Sequence, residues 1–215
     1  MFIIYMKSNI IILVLIFIGV FSIYLSGGFQ IFGYGFSLGS ITGNTPVTMV
    51  RSNVDGRTYQ VKDLPDKQDA ADILAKIRAR LIQLMLHMEN KYPSDKNVQR
   101  MVSRFNPDTL QEGGHNSGIT TYTANKGAKI VYCLRSRKNK KQELHRDINL
   151  LMMVSLHEMA HLMDPSHNPN HSGEFSDYFK MILKEAKDIN IFDSFDYSNK
   201  GGVEYCGMQI TSSPI

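Results

Sequence analysis

Residues 147–175 read DINLLMMVSLHEMAHLMDPSHNPNHSGEF, and this stretch decides the fold. Asp147 is a good N-cap, and the helix it opens runs over 148–162 until Asp164-Pro165 ends it. The run LLMMVSL ahead of His157-Glu158-Met159-Ala160-His161 is apolar, so the helix is buried. Two histidines and a glutamate are costly there without partners. Residues i and i+4 share a helix face, so His157 and His161 can bind one tetrahedral Zn2+. Glu158 lies beside them. It can take a proton from a metal-activated water and pass it to a leaving amine.

A catalytic zinc takes three protein ligands and keeps one open position. Two residues compete for the third place. His167 gives the HExxH-x5-H spacing of metzincins, although Asp164 stands where that motif has glycine. His171 opens His171-Ser172-Gly173-Glu174-Phe175, at the start of a last helix over 173–187 that Ser172 can cap. Phe175, Phe179, Ile182 and Ala186 fall on one face of that helix and anchor it, which favours His171. Glu174 could also bind, but reads first as a first-turn carboxylate stabilised by the helix dipole.

HEMAH followed by HSGEF resembles the minimal zincins of the WLM, SprT-like and YgjP-like groups. They carry HExxH on one helix and a third histidine in an H-x-x-x-F motif opening the next. DGRTYQVKDLPDKQDAADILAKIR, TTYTANKGAKIVYCLRS and VEYCGMQI extend the likeness over residues 51–210. These stretches are similar to a set of membrane-anchored zinc metallopeptidases predicted in giant DNA viruses of algae and protists. The resemblance implies His157, His161 and His171 as zinc ligands and Glu158 as general base. This chain departs from the usual short linkers, with nine residues between His161 and His171.

Upstream of the active helix, residues 119–123 and 128–134 are β-branched and aromatic runs around Asn125-Lys126-Gly127, a hairpin signal. By analogy with zincins, strand 128–134 is the edge that pairs with an extended substrate. Arg135, Arg137, Lys138, Lys140 and Lys141 follow and read as a solvated loop, with contact to an anionic partner as the other reading. Residues 51–61 alternate weakly around Asp55-Gly56, another hairpin signal. Ala70, Leu74, Ile77, Leu81, Leu84 and Met88 define an amphipathic helix of about six turns, with Asp66 as candidate cap. His87 beside that stripe reads as structural or solvent-exposed rather than as a ligand. Pro93 ends the helix, and Ser94 can cap another over 95–105. Residues 203–210 form a strand. Tyr205 there is either an oxyanion stabiliser or a packed core tyrosine. The expected body is α+β, a compact zincin-like domain with a small β-sheet.

The N-terminus differs from the rest. Residues 1–50 carry one charge, Lys7, and IIILVLIFIGVFSIYL over 10–25 is almost wholly apolar. A span needs about 20 residues, so the expectation is a transmembrane anchor or signal-anchor over 1–28. A cleaved signal peptide is the alternative, with Ser26-Gly27-Gly28 as the cleavage region. A juxtamembrane linker over 29–50 and a metallopeptidase domain over 51–215 follow. A short strand over part of 29–50, packing on the body, is the other reading of that segment. Lys7 precedes the span, which favours a cytoplasmic N-terminus in a single-pass protein of a host or virion membrane. The sequon Asn170-His171-Ser172 weighs against this orientation, because a glycan there would obstruct the site.

The net charge of +4 is too modest for a specific nucleic-acid binder. Two cysteines, Cys133 and Cys206, exclude a disulfide-dense scaffold and a four-cysteine zinc site. They either pair in an oxidising compartment or stay reduced in the core. The expected function is a membrane-anchored metallopeptidase using zinc-activated water, with a peptide or protein substrate and the bilayer as partners. The alternative is an inactive zincin-fold structural or adaptor protein of a virion membrane.

Overall fold

The computed structural model describes residues 29–31, 34–36, 45–114, 120–138, 141–166, 171, 173–197 and 201–211. The chain divides into two units, Met1–Asn44 and Thr45–Ile215. In the first, β1 (Phe29–Ile31) pairs antiparallel with β2 (Tyr34–Phe36). The second holds every other element of the described residues.

It begins with a hairpin of β3 (Val47–Arg51) and β4 (Thr58–Lys62), in register Val47 to Lys62. Residues 47–50 are thus strand. Helix α1 (Lys67–Lys91) follows, and its stripe Ala70, Leu74, Ile77, Leu81, Leu84 and Met88 is wholly buried. Asp66 sits at the N-cap position without capping, because its carboxylate turns to Arg135 at 2.7 Å. Helix α2 (Lys96–Arg104) is capped by Asp95 rather than Ser94; the Asp95 carboxylate accepts from the N–H groups of Asn97 and Val98.

A three-stranded sheet comes next, in the order β5-β7-β6. Strands β6 (Tyr122–Ala124) and β7 (Lys129–Tyr132) form the expected hairpin, with a turn of 3-10 helix over Asn125–Gly127. Gly127 has φ +98°, and a Cβ there would lie 2.4 Å from the carbonyl oxygen of Arg104, so the turn requires glycine. Strand β5 (Leu110–Glu112) runs parallel to β7 on its other side. This corrects the edge assignment: β7 is the middle strand, and β6 is the edge on the side away from β5.

Helix α3 (Ile148–Met163) crosses the centre of the body and packs on α1, α2, β6 and α4 (Gly173–Asp188). Eleven of its residues are buried, as its apolar sequence requires. Ser155 ties it to the sheet: its hydroxyl donates to Leu151 O at 2.7 Å and accepts from Tyr132 at 3.0 Å. The last segment is a hairpin, β8 (Val203–Tyr205) with β9 (Met208–Ile210), turned at Cys206-Gly207. A disulfide joins Cys206 to Cys133, just past β7, which decides between the paired and reduced readings.

The fold is a compact α+β domain. The expectation of a single-pass membrane location is corrected: among the described residues no helix is long and apolar enough to cross a membrane. The longest, α1, has 25 residues and charged side chains along its length. The span expected over residues 1–28 lies outside the described residues.

Candidate metal centre

Helix α3 places His157 and His161 one turn apart, and His171 stands two residues ahead of α4. Phe175 on α4 is 3 % exposed and packs its ring against all three imidazoles, at centroid distances of 4.5–4.9 Å. Docking of α4 therefore carries His171 to α3. One ring nitrogen from each histidine falls within 4.8 Å of the others, and the Nε2 atoms of His157 and His171 are 3.1 Å apart. His171 takes φ +28°, an uncommon backbone for a side chain with a Cβ. His167 lies outside the described residues.

Burial first, and the neighbouring imidazoles second, pull His157 down to about 3. Burial and His171 lower His161 as well, against the opposing charge of Asp164. Both rings are thus neutral near pH 7 and offer a lone pair. This donor set fits zinc. Nitrogens 2.0–2.1 Å from a tetrahedral Zn2+ lie about 3.4 Å apart, near the 3.1 Å between His157 and His171 and inside the 4.8 Å that bounds all three.

Glu158 sits on the same helix, 5 % exposed. Burial pushes its carboxyl up to about 7, against hydrogen bonds from the hydroxyl and backbone of Thr123. The hydroxyl bond, Thr123 Oγ1 to Glu158 Oε2, is 2.7 Å. Thr123 is a site residue that the sequence did not single out. The hairpin is readable, but which of its side chains faces the helix depends on tertiary packing.

Tyr205 lies on β8, 1 % exposed, with its hydroxyl hydrogen-bonded to Thr121 Oγ1. Thr121 also accepts from the backbone N–H of Cys133 at 3.2 Å. Thr121 thus connects Tyr205 and Cys133 to the chain two residues before Thr123. His87, as read, is structural: its Nε2 lies 2.6 Å from Glu185 Oε2, across α1 and α4.

The WLM domain family matches residues 53–214, nearly the whole second unit. The chain belongs to the WLM domain family. That family is associated with zinc metalloproteases. A viral relative, the uncharacterized protein R325 of Acanthamoeba polyphaga mimivirus, is 36 % identical to this WLM chain over 165 residues, covering 75 % of it and 81 % of the relative. The crystal structure of Wss1 from Saccharomyces cerevisiae aligns with TM-score 0.43 at 22 % identity, over 59 % of this WLM chain and 84 % of the other. A Wss1 mutant aligns with TM-score 0.46 at 20 % identity, over 61 % and 88 %.

Proposed function

We propose that this WLM domain is a zinc-dependent peptidase whose metal is held by His157, His161 and His171. The carrying observation is the convergence of three imidazole nitrogens beside a buried carboxylate already held by a hydrogen bond. When bound, Zn2+ supplies Lewis acidity toward a carbonyl oxygen and eases deprotonation of water.

The chain's own residues do the rest. Glu158 is the general base: with Thr123 Oγ1 holding the carboxylate at Oε2, the group accepts a proton from the attacking water and delivers it to the leaving nitrogen. Strand β6 is the edge beside this carboxylate. An extended peptide adding to it as a further strand would run its main chain past Glu158. Side chains alternate along a strand, so with Thr123 turned to Glu158, Tyr122 and Ala124 face the opposite side. Tyr205, buried and bonded to Thr121, is a positioning residue in this reading: it fixes β6. An inactive scaffold would have no use for a carboxylate buried at this cost.

The test is elemental analysis of purified chain with a peptide-hydrolysis assay. Wild type binds one zinc per chain, and His171→Ala loses it while His167→Ala keeps it. Glu158→Gln keeps zinc and loses roughly 10²–10⁴-fold in kcat. Wild-type turnover in Glu158→Gln would remove the role given to that residue.

A further inference from the structure

We propose that the Cys133–Cys206 disulfide is a second reactive site, which a dithiol reductant opens and which governs the order of strand β6 beside Glu158. Its link to hydrolysis rests on the peptidase reading above; its effect on β6 does not.

The bond closes a ring of contacts. Cys133 donates its backbone N–H to Thr121 Oγ1, Thr121 meets the Tyr205 hydroxyl, and Tyr205 precedes Cys206 in the chain. The covalent bond thus fixes the distance between the two groups that hold Thr121. Thr121 in turn precedes by two residues Thr123, the partner of Glu158. The chain has two cysteines, so no second disulfide ties the β8–β9 hairpin to the β6–β7 hairpin.

The turn is poised to move. Cys206 and Gly207 carry φ +52° and +90°. A two-residue hairpin turn of this kind favours Asn, Asp or Gly at its first position. A cysteine there is disfavoured by its Cβ, and the tether supplies a reason for it. Opposing release, Glu204 accepts from Ser136 Oγ at 2.7 Å and from the Gly207 N–H at 2.6 Å.

The two cysteines differ in exposure. Cys206 is 2 % exposed and Cys133 is half-buried. The reductant's thiolate therefore attacks Cys133 Sγ. The S–S bond breaks, and its electron pair leaves on Cys206 Sγ, which takes a proton. The reductant's second thiolate then attacks the mixed disulfide and releases the Cys133 thiolate, which is protonated. Two electrons and two protons have passed to the protein, and the reductant departs as a cyclic disulfide.

The experiment is amide hydrogen exchange by mass spectrometry on the full chain in three forms: oxidised, reduced with dithiothreitol and freed of it under nitrogen, and as the double variant Cys133→Ser, Cys206→Ser. Zinc content and peptide hydrolysis are measured on each. The expected result is exchange faster by about tenfold or more over residues 121–124 and 203–207 in both open forms, with α1 unchanged. Reoxidation restores the wild type alone. Hydrolysis falls by about fivefold or more at unchanged zinc content. Unchanged exchange over 121–124 overturns the proposal, as does acceleration that extends equally through α1. Faster exchange at 121–124 with undiminished hydrolysis overturns the link to Glu158. If the oxidised chain hydrolyses nothing, the peptidase reading fails, and the exchange data still decide whether the bond orders β6.

Discussion

Arg135 stands in a run of basic residues that reads as solvent-facing, yet it is 3 % exposed. Its Nε donates to Glu112 Oε1 at 2.8 Å, and its Nη1 forms an ion pair with Asp66 Oδ1 at 2.7 Å. Glu112 is fully buried; burial pushes its carboxyl up, against Arg135 and the backbone N–H of Lys62. Removing the cation would leave a buried carboxylate unpaired, which costs about 3–5 kcal/mol. Arg135→Ala should lower the urea midpoint accordingly, and Arg137→Ala far less. Neither carboxylate is near Arg135 in sequence, so nothing local marks it off from its basic neighbours. The opposite holds at the candidate metal centre. His157, Glu158 and His161 share a helix turn, and their spacing alone states their geometry. Thr123, 35 residues away from Glu158, becomes a neighbour only through folding.

The elements follow the same division. Helix α3 is legible because its signals are local: an aspartate before it, an apolar run within it, Asp164-Pro165 after it. Asp147 accepts from the N–H groups of Asn149 and Leu150 at 2.9 and 3.2 Å. Asp147→Ala should therefore cost about 0.5–2 kcal/mol in thermal or urea unfolding. Asp147→Asn, which also caps, should recover most of that. Strand β5 is not legible. It has three residues, too few to show alternation, and it is defined by parallel pairing with β7, a partner 20 residues along the chain. Without β5, β7 reads as an edge, and the free edge is placed one strand away from where it lies.

Across the whole molecule, α1 and α4 are joined by Glu185, which is 1 % exposed. It accepts from Lys91 Nζ at 2.7 and 2.8 Å and from the Tyr92 hydroxyl at 2.7 Å, and it pairs with His87. Burial alone would raise its pKa, but hydrogen bonds from Lys91, His87 and Tyr92 outweigh it and bring the group down to about 2. The folded value lies below the ordinary 4.5, so the unfolded chain binds the proton first. Glu185 therefore stabilises the fold fully above about pH 5, and that contribution is lost as pH falls toward 2. Urea midpoints between pH 6 and pH 2.5 should fall more steeply for wild type than for Glu185→Gln, which starts lower. Parallel curves would refute the assignment.

The seating of His171 against Phe175 has a consequence for how such sites vary among relatives. The rings of His161 and His171 lie 5.2 Å apart, yet nine residues intervene in the chain. What fixes the gap is the docking of one helix on another, so the connecting segment needs only to reach. Its residue count is free to drift without moving the ligands. An unusually long connection is then compatible with the proposed centre, because the aromatic anchor seats His171.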